Sequence, residues 1–150
     1  MNATQQETLY ASERALLDGR TFPNVEAVER WINDDLRESW WWERWCANVI
    51  YVEVGIGRPG AGVAGVGWFD ADANAGRLEF ARDAALTERR VVHELAHVIA
   101  KARRNSTSHD PWFARIYLEL TYLVRGQAQY EVLKKSFDAH GIDYDAGGMP

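Results

Sequence analysis

His93-Glu94-Leu95-Ala96-His97 constrains this chain more than any other stretch. Residues four apart lie on one face of an α-helix, one turn above each other. Two imidazoles placed this way can reach a single metal ion at about 2.0–2.1 Å. Glu94 lies roughly 100° from His93 around the helix. Its carboxylate then falls beside such an ion, where it can take a proton from water. The flanking residues favour a helix buried on one side. Val91, Val92, Leu95, Val98, Ile99 and Ala102 form an apolar stripe at helical spacing. Thr87 suits the N-cap, Glu88 suits the positive helix end, and the element is predicted to run to about Arg104.

The rest of the chain reads as helices, then short strands, then helices. Gln5 to Leu17 is a first helix, with Leu9, Ala15 and Leu16 as apolar positions and Gly19 as its stop. Pro23 and Asn24 open a second, in which Val25, Val28, Trp31, Ile32 and Leu36 recur at helical spacing. Asn48 to Val54, Val63 to Phe69 and Arg77 to Ala81 read as strands from their β-branched and aromatic content. Between Gly55 and Gly67 stand six glycines and a turn signal, Arg58-Pro59-Gly60. The stretch lacks the pattern of a phosphate-binding loop and reads as a turn or flap. Asp70 to Gly76 reads as a hairpin turn. Asp110 and Pro111 open a helix whose stripe, Phe113 to Val124, stops at Gly126. A last helix runs from about Gln127 to His140, and Asp143 to Pro150 reads as a frayed tail. This order predicts an α+β fold with a small antiparallel meander of about three strands.

A length of 150 residues fits one domain, 1–150, and 47% apolar residues with seven Trp exclude a disordered chain. The net charge of −5 offers no bulk attraction to nucleic acid or to an anionic membrane. Cys46 is the single cysteine, which excludes an internal disulfide and a cysteine-based zinc ribbon and fits a reducing compartment. No apolar run reaches membrane-span length, and Met1 to Tyr10 lacks the apolar core of a signal peptide. A cytoplasmic protein without membrane or nucleic-acid partners is expected.

Two histidines do not complete a catalytic metal site, which usually has three protein ligands and an open position. A continuation with glycine and a third histidine on the same helix is excluded, because Ala100 and Arg103 stand there. Two candidates remain. His109 lies just before the Asp110 cap, so the next helix fixes its place. Glu119 lies on that helix, at a spacing comparable to the glutamate ligand of thermolysin-like enzymes.

His93 to His97, followed by Ser108-His109-Asp110-Pro111-Trp112-Phe113 and Tyr117-Leu118-Glu119-Leu120, resembles the SprT-like zinc metallopeptidases. It also resembles a group of small metallohydrolases with a similar core. The likeness spans about Val91 to Val124. It implies a minimal zincin-like core, Zn²⁺ as the metal, His109 as the third ligand, and a peptide or protein substrate. Asp110 stands where the family usually has glycine. Aspartate also caps a helix, and could alternatively accept a hydrogen bond from a ligand imidazole. The zinc ribbon or DNA-binding tail of larger members has no counterpart in this sequence.

Trp40, Trp41, Trp42 and Trp45 read as packing of a helix against the sheet rather than as a partner surface. Lys101, Arg103, Arg104 and His140 suit the negative ends of helices. Tyr117 and Tyr130 are candidates to stabilise an oxyanion, though both also fit the core. The expected activity is zinc-dependent hydrolysis of a peptide bond, with Glu94 moving the water proton and an edge strand aligning the substrate. The alternative is a non-catalytic binding module in which the metal is structural.

Overall fold

The computed structural model describes residues 3–46, 48–58, 63–106 and 109–145. In chain order they form α1 (Ala3–Glu13), α2 (Val25–Arg30), a π turn (Trp31–Asp35), a 3-10 turn (Leu36–Glu38) and α3 (Trp40–Cys46). Then come β1 (Tyr51–Ile56), β2 (Gly65–Asp70), β3 (Ala75–Phe80), α4 (Glu88–Arg104) and α5 (Pro111–Ala139). The class is α+β, as expected.

The sheet is mixed, which corrects the expected antiparallel meander. β2 and β3 form the hairpin, with Asp70 Oδ1 accepting hydrogen bonds from the Asp72 and Ala73 amides. β1 pairs with the other side of β3 and runs parallel to it, from Tyr51 opposite Ala75 to Ile56 opposite Phe80. Alternation of apolar residues marks which face is buried and says nothing of strand order. β1 and β2, consecutive in the chain, therefore lie on opposite sides of β3. Pro59 and Gly60 of the expected turn lie outside the described residues.

The two edges of the sheet differ. Asn33 in the π turn both donates to the Val52 carbonyl and accepts from its amide, and Glu29 Oε1 accepts from the Val54 amide. These side chains cover the outer edge of β1. The outer edge of β2 has no strand partner among the described residues. β2 lies across α4 at very close range. A Cβ on Gly67 would fall 2.3 Å from the Glu94 backbone oxygen, so only glycine fits there.

α4 starts where the Thr87 hydroxyl accepts from the Arg90 amide at 3.2 Å, and it closes on Asn105 in the left-handed region (φ 53°). Its apolar face, with Val91, Leu95 and Val98, packs against the sheet and α5. α5 breaks at Gly126 (φ 85°, ψ 176°), which separates the two helical halves expected there. The second half returns to α1. Ser136 Oγ donates to the Ser12 carbonyl at 2.7 Å, and Gln129 Oε1 accepts from the Leu17 amide at 3.1 Å.

Trp41, Trp42 and Trp45 are buried in the core and Trp40 is exposed, and α3 packs on α4 and the 3-10 turn. Trp45 meets Trp112 edge-on and donates its indole N–H to Glu119 at 3.0 Å. The start of the supposed tail is pinned. The Ile142 amide donates to the Phe137 carbonyl, and Tyr144 packs on Phe137 and donates to Asp138. The remainder of that tail, 146–150, lies outside the described residues. No helix among the described residues is long and apolar enough to cross a membrane.

Candidate metal centre

α4 presents His93 and His97 one turn apart, and the start of α5 brings His109 onto them. Asp110 Oδ1 accepts from the Phe113 amide at 2.9 Å, so the helix cap fixes the residue beside it. His97 Nε2 lies 2.9 Å from His109 Nε2, which lies 3.3 Å from His93 Nε2. One ring nitrogen from each of the three falls within 4.8 Å of the others. Nitrogens bound tetrahedrally at 2.0–2.1 Å stand roughly 3.3 Å apart, so this donor set fits a small divalent ion. Phe113 underlies all three rings, with centroids 5.2, 4.3 and 4.7 Å from those of His93, His97 and His109. The group can hold a metal ion.

Glu119, the rival third ligand, is engaged elsewhere. Its carboxylate accepts from the Trp45 indole and from Arg115 Nε, each at 3.0 Å. Asp110 acts as the cap rather than as a partner of an imidazole. Tyr130 stacks edge-on with Tyr122.

The residue that sequence reasoning missed is Glu13. It is buried at the end of α1, and its Oε1 lies 2.6 Å from His93 Nδ1 and accepts from the Tyr117 hydroxyl at 2.5 Å. A carboxylate on Nδ1 fixes ring orientation and leaves Nε2 to face its neighbours. A signal was present, because Leu9, Glu13 and Leu16 share one helical face. An acid in such a stripe demands a buried partner. Tyr117, considered for an oxyanion, is instead a fully buried partner of Glu13.

Burial and neighbouring charge set the protonation of the group. Burial alone would lower the pKa of His93, but the Glu13 charge and hydrogen bond raise it to about 9. Burial and the His93 charge hold His109 down at about 4, and burial with both neighbouring histidines holds His97 well below its ordinary value. Burial raises the Glu94 carboxyl despite the opposing charge of His93. For Glu13 burial is overcome by His93, and its carboxyl stays low.

Glu94 Oε1 lies 3.9 Å from His93 Nε2, on the side of the ring that faces the other histidines. A cleft of about 310 Å³ opens here. Its walls include His93 and Glu94, Tyr10 and Glu13 of α1, and Val63 to Gly65 leading into β2. Tyr10 stacks on His93 with ring centroids 6.0 Å apart. The arrangement joins a three-imidazole donor set, an adjacent carboxylate and an access route. Compared with known proteins, the chain matches no family model, no curated protein and no solved structure.

Proposed function

We propose that this chain is a zinc-dependent hydrolase that cleaves peptide bonds. The observation that carries the proposal is the meeting of His93, His97 and His109 beside Glu94, with His93 and Glu94 in the wall of a cleft. The motif resemblance to SprT-like metallopeptidases supplies the choice of zinc and of a peptide substrate. A bound zinc ion supplies Lewis acidity and makes water a nucleophile near neutral pH. His93, His97 and His109 would hold it through their facing ring nitrogens. Glu13 orients His93 through Nδ1, and Phe113 and Tyr117 hold the ring planes by packing.

Glu94 is the general base. Its carboxylate receives the proton of the attacking water and hands it to the leaving amine. Burial weakens its acidity, which brings it closer to the operating pH and strengthens it in that role. The face of β2 lies over Glu94, and its outer edge, which has no strand partner among the described residues, would take an extended peptide. Purified protein should contain about one zinc per chain, and Glu94→Gln should keep that zinc while losing hydrolysis by about a hundredfold or more. Full activity in Glu94→Gln overturns the mechanism.

A further inference from the structure

One cation on the wall of the cleft is held by no ion pair among the described residues, although the Glu94 carboxylate one turn along the helix feels its charge. Arg89 and Arg90 both line the cleft, beside Glu94 and the Val63–Gly65 segment. Arg89 is taken up by Asp18, which accepts from its Nε at 2.9 Å and from Nη2 at 2.8 Å. Arg90 forms no ion pair among the described residues. One of its N–H groups donates to the Ala85 carbonyl, which tethers the half-buried guanidinium. A guanidinium has five N–H donors, so most remain to meet a ligand. Arg90 stands four residues before Glu94, one turn away on the same helix face, or about 6 Å along the axis.

We propose that the cleft selects peptides carrying a carboxylate close to the bond that is cut, and that Arg90 recognises that carboxylate. The inference rests on the peptide-hydrolase reading for the word "cut", and on the cleft alone for recognition. A planar guanidinium tethered in a partly water-excluded wall matches a carboxylate through two parallel hydrogen bonds. The carboxylate can come from an acidic side chain or from the peptide's own C-terminus, and both present the same oxygens.

Binding of peptides to zinc-loaded Glu94→Gln, measured by calorimetry, separates recognition from turnover. One arm compares acetylated hexapeptide amides in which a single Glu or a single Gln is moved along a neutral sequence. The other compares one neutral hexapeptide as free acid and as amide. The carboxylate form should bind about tenfold to a hundredfold more tightly in one arm, which identifies the source. Adding Arg90→Gln should level the two affinities, and Arg90→Lys should restore part of the difference. Equal affinities in both arms overturn the inference. So does a preference that survives Arg90→Gln. Tight carboxylate binding with no cleavage of any peptide by the wild-type chain upholds the recognition and removes the hydrolase reading. Cleavage of acidic and neutral peptides at one rate, with equal binding, does the reverse.

Discussion

Helix α4 bears His93 and His97 and helix α1 reaches His93 through Glu13, yet their sequences differ in kind. α4 carries a continuous apolar stripe, an N-cap at Thr87 and a basic last turn. Its two imidazoles follow from spacing within a single element. α1 has no acidic first turn and no basic last turn, and its contribution is one carboxylate, Glu13, aimed at a residue 80 positions away. The pairing of the two α4 imidazoles is thus a local property of the chain, whereas the group that aims one of them is a product of tertiary packing.

The sharpest way to break the comparison is to remove a ligand and an aiming group in turn. His109→Ala should lower zinc affinity by about a thousandfold, a third of the roughly 10–16 kcal/mol typical of a structural site, as read by competition with a chelator. Glu119→Ala should leave zinc content unchanged, and loss of zinc there would reinstate it as a ligand.

The next effect is seen in the metal-free chain. His93 is held at about 9, so its pairing with Glu13 stabilises fully below about pH 6.5 and is lost as pH rises through about 9. Glu13 is held low, so its own share disappears only as pH falls below the ordinary carboxylate range. Between pH 7 and pH 10 the metal-free protein should lose on the order of 2–3 kcal/mol of stability through this pair. Denaturant melts of Glu13→Gln should lack that component, and an unchanged pH slope would show that the pair contributes nothing.

Glu13→Gln should also weaken zinc binding by about tenfold to a hundredfold, because an amide orients the imidazole less firmly than a carboxylate does. The smallest change is Tyr117→Phe. It removes one hydrogen bond to Glu13 and keeps the ring, so stability should fall by about 1–2 kcal/mol with zinc retained. A Tyr117→Phe variant that loses zinc would make the hydroxyl part of the binding apparatus and erase the distinction between the two helices.

The same division explains what was legible in the sequence. The α+β class, the span and N-cap of α4, the Asp110 cap and the break at Gly126 all follow from local patterns, and the structure agrees. The approach of His109 was legible because its helix cap lies in the next residue. Strand order was not, since alternation in β1 and β3 carries no record of which edge each strand meets. Nor was the role of the β2 glycines, since Gly67 is clearance for the Glu94 backbone and Gly65 for the Phe80 ring. Trp45 and Glu119 likewise meet 74 residues apart, a pairing no spacing rule contains.

The break in α5 at Gly126 ties the far end of the chain to this chemistry. Without it the helix would run straight on past α1. With it, Ser136 and Gln129 return to grip the residues on either side of Glu13, Ser12 and Leu17. The second half of α5 touches none of the three histidines in the contacts described above, yet it serves as a buttress for the carboxylate that aims the first of them. On the proposed zinc reading, a lesion between Gln127 and His140 would therefore present as a defect in metal retention with His93, His97 and His109 all intact.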